Sequence, residues 1–324
     1  MRRIAHVFGL AVLAAFAPTS ARAAEGDHAE DVVDYTMKAS LDAGAHTVHG
    51  EGTIVWRNTS EKPVHEIWLH LYMNAFKNEE SVWLSEPVGG FRGGGGVADW
   101  GAIDVRKFAV ADPANPEGFT DQWPKAELKR SGKEDETDVR VPLPNEVAPG
   151  GSVEIRTTWD VKLPTVVERT GYAGSFHMVA QWFPKVARLE KDGTFAHFPF
   201  HRLSEFYADF GTYDVTLDVP QGFVVGATGP ALETKDENGR HVEHHVQSDV
   251  HDFAWTAWDK FKTRSEDVGS VHVTALYPPD HDAVVDRELE TVRFAIPYFE
   301  SRYGKYPYSV LTVVHPPDSA GEAG

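Results

Sequence analysis

Lys305-Tyr-Pro-Tyr-Ser-Val-Leu-Thr-Val-Val-His-Pro-Pro-Asp-Ser-Ala-Gly-Glu-Ala-Gly324 closes the sequence and sets how the rest is read. Tyr306-Pro307-Tyr308 predicts a tight aromatic turn, because proline fixes φ and removes a backbone donor. Ser309 to His315 is a short apolar run rich in β-branched residues and predicts a buried strand. Pro316-Pro317 breaks that strand. The residues from Ser319 to Gly324 then predict a small-residue loop, the kind whose backbone approaches a ligand or another chain closely. The sequence stops there with no cap, helix or polar tail, so the expectation is a chain cut short.

Upstream, Val285, Leu289, Val292, Ala295, Ile296 and Phe299 recur at spacings of three and four between Ala283 and Arg302, which predicts an amphipathic helix. Pro297 is expected to kink it or to break it near Ile296. Before Pro278-Pro279 the period is two. Val271 to Tyr277, Phe223 to Thr228 and Gly211 to Pro220 all read as strands. So does His241 to Gln247, joined to its predecessor by the hairpin signal Asp236-Glu237-Asn238-Gly239. In the segment from Asp252 to Phe261, alternation places Phe253, Trp255 and Ala257 on one face. Earlier strands are expected at His46 to Asn58, Val64 to Met73, Val139 to Leu143 and Ser152 to Lys162. Ser85 to Lys133, with its glycine run from Gly89 to Gly96, is expected to be a surface loop. A phosphate-cradling loop would need a strand before those glycines and a lysine and helix after them.

The formal charge of −18 (49 acidic against 31 basic residues) argues against nucleic acid and anionic membrane surfaces as partners. With no cysteine, neither disulfides nor a lipoprotein anchor are available. Arg2-Arg3, an apolar run from Ile4 to Phe16 and Ala21-Arg22-Ala23 form an export signal with a small-x-small cleavage site. The apolar run is too short for a membrane span. The mature chain is therefore expected to be soluble, periplasmic or secreted. Nine Trp, ten Tyr and eighteen Phe give it enough apolar area for a large core.

Two histidine groups invite a metal reading. In His65-Glu66-Ile67-Trp68-Leu69-His70 the spacing is five, whereas a zinc helix needs histidines four apart. On a strand that odd spacing turns the two side chains to opposite faces. His241, Glu243 and His245 share one face of their strand, where three ligands at period two could bind a metal. Beside a hairpin turn, the expected reading is a solvated polar face.

Ala180-Gln181-Trp182-Phe183-Pro184-Lys185-Val186-Ala187-Arg188 reads from its residues as an aromatic corner between strands. It resembles the Gln-x-Glu/Gln-Pro-x-x-x-Arg segment of the aminopeptidase N family of zinc metallopeptidases. Gln181, Pro184 and Arg188 match. The stretches from Ser204 to Pro220, from Asp252 to Phe261 and from Tyr306 to Gly324 are similar to that family as well. In the family the first Gln and the carboxylate two residues on contact the substrate's free amino end. Here the carboxylate's place holds Phe183, whose ring offers a cation only cation–π attraction instead of charge-assisted hydrogen bonds. Glu205 and Glu168 are the carboxylates that could replace it.

The resemblance implies a mostly β fold. It consists of a saddle-like antiparallel β-sandwich domain, then the opening helix and strand of an α/β thermolysin-like domain. After a signal peptide at 1–23, residues 25–265 would form the N-terminal β domain. Residues 266–324 would hold its last strand and the truncated start of the catalytic domain. Gly321, Glu322, Ala323 and Gly324 would lead into a substrate-binding loop, making them substrate-binding positions together with Gln181 and Phe183. One zinc, held by two His and a Glu beyond Gly324, would activate water for peptide hydrolysis, with a peptide as the substrate partner. This chain alone would be inactive. A separately encoded catalytic chain is the other partner left open. A non-catalytic extracellular β-sandwich that binds a peptide or protein is the alternative reading.

Overall fold

The computed structural model describes residues 31–87, 97–115, 117–128, 135–203 and 206–323. The expected export signal and the glycine run at 89–96 lie outside them. Alternation builds the first elements. In β1 (Val33–Asp42) every second side chain from Val33 to Leu41 is buried. β2 (Thr47–Arg57) pairs with it antiparallel. β3 (Val64–His70) follows and runs into a 3-10 turn, Tyr72–Phe76, and the single-turn α1 (Val82–Ser85). Next come β4 (Ala102–Ala111), β5 (Phe119–Asp121), β6 (Asp138–Val147) and β7 (Ser152–Lys162).

The expected long loop therefore contains a ten-residue strand, β4. Its alternation is hidden by a bulge between Val105 and Lys107. Arg106 and Lys107 both face solvent, while Val105 and Phe108 both face the core. An extra residue shifts the phase of a strand in this way.

Short strands then turn the chain: β8 (Gly171–Ala173), β9 (Phe176–Val179), β10 (Lys185–Val186), β11 (Arg188–Leu189) and β12 (Phe195–Ala196). β13 (Gly211–Pro220) alternates as predicted. β14 (Val224–Ala227), β15 (Ala231–Glu237), β16 (Arg240–Val250), β17 (Trp255–Trp258), β18 (Lys262–Val268) and β19 (Val271–Tyr277) complete the β-rich run. The long helix α2 (Asp282–Tyr303) leads to β20 (Val310–Val314).

The main sheet has the order β15-β16-β13-β1-β2-β7-β4-β5. It is antiparallel except where β1 lies parallel to β13. Four smaller sheets among the described residues, β10-β3-β6, β11-β12, β14-β17-β9-β8 and β18-β19-β20, accompany it. The edge strand β15 is exposed throughout and carries Glu233, Lys235, Asp236 and Glu237. Charges of this kind discourage another chain from adding to an open edge. At the β15–β16 turn, Asn238 and Gly239 take φ of 53° and 75°, the left-handed pair a two-residue hairpin requires.

Trp159 of β7 lies directly opposite Gly50 of β2, with no exposed surface. A Cβ at Gly50 would sit 2.2 Å from the Trp159 ring. The ring is held in place, because its Nε1–H donates to the Trp182 carbonyl at 2.7 Å. Gly50→Ala is therefore expected to cost about 1–3 kcal/mol through overpacking, read as a lower denaturation midpoint. An unchanged midpoint would show that the ring can move.

β19, α2 and β20 form a β-α-β unit, with β20 parallel to β19. Val285, Leu289 and Ile296 of α2 pack on Val271, Val273 and Ala275. Pro297 is exposed, and the helix continues past it to Tyr303, so the break expected near Ile296 does not occur. Phe299, expected on the buried face, is 54% exposed. With Phe294, Tyr298 and Tyr303 it forms an uncovered aromatic row along the outer side of α2. No helix among the described residues is long and apolar enough to cross a membrane.

Candidate functional site

The corner from Ala180 to Ala187 is pinned on all sides by backbone. The Thr170 hydroxyl donates to the Ala180 carbonyl at 3.1 Å. The Trp182 indole donates to the Phe253 carbonyl at 2.9 Å. The Val186 N–H donates to the Tyr35 hydroxyl at 2.9 Å, and the Ala187 N–H to the Trp68 carbonyl at 2.8 Å. Between these anchors Gln181 is held at φ 56°, in the left-handed region. Residues other than glycine adopt that conformation at a cost, and only where the surroundings enforce it.

The enforcing contacts are ionic. The Gln181 Nε2 donates to Asp252 Oδ2 at 2.6 Å, and its Oε1 accepts from Lys185 Nζ at 3.2 Å. Lys185 and Asp252 form an ion pair at 2.5 Å. The Lys185 side chain is 1% exposed. Burial pulls the ammonium below the usual lysine range, and Asp252 opposes that pull. In the pairing of β10 with β3, Lys185 lies opposite His70. His70 is buried with both ring nitrogens unpartnered. Burial first, then the Lys185 and His197 charges, lower its pKa to about 3 and keep the ring neutral.

Phe183 stands elsewhere than a substrate-facing reading requires. It is 1% exposed, with its ring against Tyr35 (5.1 Å), Trp182 (5.3 Å) and Tyr213 (5.9 Å). The cation its face meets is internal, Lys185 Nζ at 5.5 Å from the centroid. Gln181 and Phe183 thus share one buried cluster with Lys185. Neither makes a hydrogen bond to the tail among the described residues.

The tail is a 3-10 turn, Asp318–Ala323, where a loop was expected. Ala320 is buried against Phe176, Trp258, Phe261 and Leu276. Gly321 is exposed, and a Cβ there would meet nothing within 4 Å, so no close approach within this chain requires glycine at that position. Glu322 and Ala323 belong to the same turn by their backbone, and Gly324 lies outside the described residues.

The histidine groups divide. His65 is exposed on β3, 3.7 Å from Glu146, while His70 is buried, so the two do not converge. The solvated face expected for His241, Glu243 and His245 is corrected. Register sets these residues opposite Val219, Leu217 and Val215, all of which face the core. His245 is buried, and both histidines contact Glu243 at 2.9 Å. A third chain of contacts was not anticipated. His281 Nδ1 meets His315 Nε2 at 2.9 Å, and His315 Nδ1 meets Glu288 Oε1 at 2.7 Å, tying the start of α2 to the end of β20. Among the described residues no group of three or more His, Cys, Asp or Glu is placed to hold a metal ion.

An open cleft of about 290 Å³ separates β14 and β17 from β20. Gly226, Gly229, Trp255, Tyr306, Tyr308 and Leu311 are among its lining residues. The Tyr308 hydroxyl is engaged, donating to the Asp249 carbonyl at 2.6 Å.

Sequence reasoning found Gln181 but missed Lys185 and Asp252 as its partners. The available signal was a lone lysine inside the apolar run from Trp182 to Ala187. A charge in such a run must be exposed or paired, and only the fold shows which.

No family model matches this chain, and no curated protein sequence does. Its fold is nevertheless shared with M1 zinc metallopeptidases. The crystal structure of a glutamate-to-alanine mutant of the M1 zinc metallopeptidase from Deinococcus radiodurans matches with TM-score 0.54 and 14% identity. That match covers 88% of this chain and 56% of the other. The same mutant bound to a Tyr-Ser-Ala substrate gives the same values. The unmutated protein matches at TM-score 0.53 and 14% identity, over 89% of this chain and 57% of its own. The chain thus spans a little over half the length of the structures it matches. At this identity the likeness is one of fold.

Proposed function

We propose that this chain is the N-terminal portion of an exported, aminopeptidase-like zinc metallopeptidase acting on peptides, with the zinc site formed by residues beyond Gly324. The fold likeness carries the reading. It covers 88% of this chain, and the structures that share it are zinc metallopeptidases. The aromatic row of Phe294, Tyr298, Phe299 and Tyr303 supports it, since a patch of adjacent exposed rings marks a surface that something else covers. Further catalytic-domain chain would cover it under this reading. Export to the periplasm or outside the cell is part of the proposal, on the basis of the Arg2 to Ala23 signal.

The described side chains do not fit a zinc ion. His65 and His70 diverge, the Glu243 cluster is closed by its own hydrogen bonds, and no group of three or more His, Cys, Asp or Glu among the described residues is placed to hold a metal ion. No catalytic step is therefore assigned to them. In this chain Gln181 is a positioning residue. Its amide is already bonded to Asp252 and Lys185, so it holds the corner.

The test is hydrolysis of an aminoacyl amide with added zinc, measured on residues 25–324 and on the product of the whole reading frame. Turnover that a chelator abolishes is expected only from the second. Chelator-sensitive turnover by the first, or none by either, would overturn the proposal.

A further inference from the structure

The His241–Glu243–His245 cluster carries an inference independent of the peptidase reading. His241 Nδ1 lies 2.6 Å from Asp236 Oδ1, and its Nε2 lies 2.9 Å from Glu243 Oε1. His245 Nδ1 lies 3.2 Å from the Gly229 carbonyl, and its Nε2 lies 2.9 Å from Glu243 Oε2. Carboxylate and carbonyl oxygens only accept, so each ring must donate from both nitrogens. Only an imidazolium does that. Two imidazoliums between two carboxylates then form a neutral, fully bonded ladder.

We propose that His241, bridged through Glu243 to His245, forms a proton-dependent clasp, which fastens the β15–β16 edge hairpin to the Gly229 rim of the cleft and releases it as the pH rises. Losing a proton turns a ring lone pair toward an oxygen lone pair. The Glu243 side of His241 adjoins His245, which is 3% exposed, so water has little access to replace the lost bond. The charged groups facing the pair are Asp236 from β15 and Glu243 from β16 itself. β13 contributes Tyr213, Val215, Leu217 and Val219 to this face, and the segment after β16 contributes the Phe253 ring near His245. Arg240 is engaged with Asp218, and His244 with Asp214 on the opposite face.

Burial pulls His241 down, but Asp236 and Glu243 outweigh it and hold the ring above its ordinary 6.5. Burial likewise pushes the Glu243 carboxyl up, and the hydrogen bonds from His245 and His241 outweigh it, leaving it below its ordinary 4.5. The His241 contribution is therefore complete below 6.5 and is lost as the pH climbs through its raised folded value. The Glu243 contribution is complete above 4.5 and is lost only as the pH falls through its lowered folded value. Between 4.5 and 6.5 both are in place.

Imidazole NMR on the whole chain tests this, with rings assigned through His241→Asn and His245→Asn. At pH 6 the His241 ring is expected to show two N–H groups. Asp236→Asn and Glu243→Gln are each expected to weaken proton binding at His241 by about tenfold, one pKa unit. Amide-exchange protection of 237–242, corrected for the intrinsic rate, is expected to fall between pH 6 and 8 in the parent but stay flat in His241→Asn. A single N–H on His241 at pH 6 would overturn the clasp. So would a His241 midpoint that moves with neither carboxylate variant. Asp236 is half exposed and flanks a turn, so its variant keeps the test open if Glu243→Gln does not fold.

Discussion

Asp252→Ala is expected to destabilise the chain by about 3–5 kcal/mol, the cost of leaving a buried charge without its partner. Lys185 is almost wholly enclosed, so its ammonium has no water to turn to when Asp252 is removed. Gln181 loses its acceptor in the same step and keeps its left-handed backbone with less to hold it there. Removing both charges behaves differently, because an apolar side chain at 185 suits its aromatic surroundings. The double variant Lys185→Met/Asp252→Ala is expected to recover much of the loss. Urea denaturation of the two variants and the parent decides the matter. An Asp252→Ala chain within about 1 kcal/mol of the parent, the range of a surface pair, would mean that the pair is solvated and the corner is held by backbone alone.

Phe183→Ala should cost a similar amount, about 3–5 kcal/mol, as expected for deleting a large aromatic from a packed core. The ring touches Tyr35, Trp182 and Tyr213 and lies beneath the Lys185 ammonium, so its removal opens a cavity at the junction of two sheets. The same environment bears on specificity. A carboxylate placed here by Phe183→Glu would meet the core before it met a peptide amine, and unfolding is the expected result. Thermal melts and near-ultraviolet circular dichroism report both changes. If either variant retains the parent midpoint, the ring is not part of the core, and a substrate-facing position for residue 183 regains support.

The strand pattern was legible wherever period two was unbroken. β7 and β13 fall on the expected residues, and the Asn238-Gly239 hairpin follows from turn chemistry alone. β4 was missed because a bulge reverses its phase midway, and a local reading of alternation cannot carry a pattern across that insertion. The α2 helix was found, but Phe299 was assigned to the wrong side of it. Its apolar periodicity contains two stripes, of which the sheet covers one. At the candidate site, the resemblance of the corner from Gln181 to Arg188 to a peptidase segment drew attention to a real structural anchor. Its conformation shows that the anchor's polar groups are turned on one another.

By itself the sequence determined the class of structure, because alternation, turn residues and helical spacing act over a few residues and need no distant partner. Tertiary structure decided which faces are inside. The parallel pairing of β1 with β13 joins strands nearly 180 residues apart, between Tyr35 and Tyr213 for example, and no local pattern encodes it. That pairing, continued through β16, turns His241, Glu243 and His245 inward and makes a polar face part of the interior. Asp252 reaches Gln181 and Lys185 only after β9 and β17 have paired. Burial raises the cost of an unpaired charge, so whether a lysine or a histidine is solvated or clamped is settled by those distant contacts.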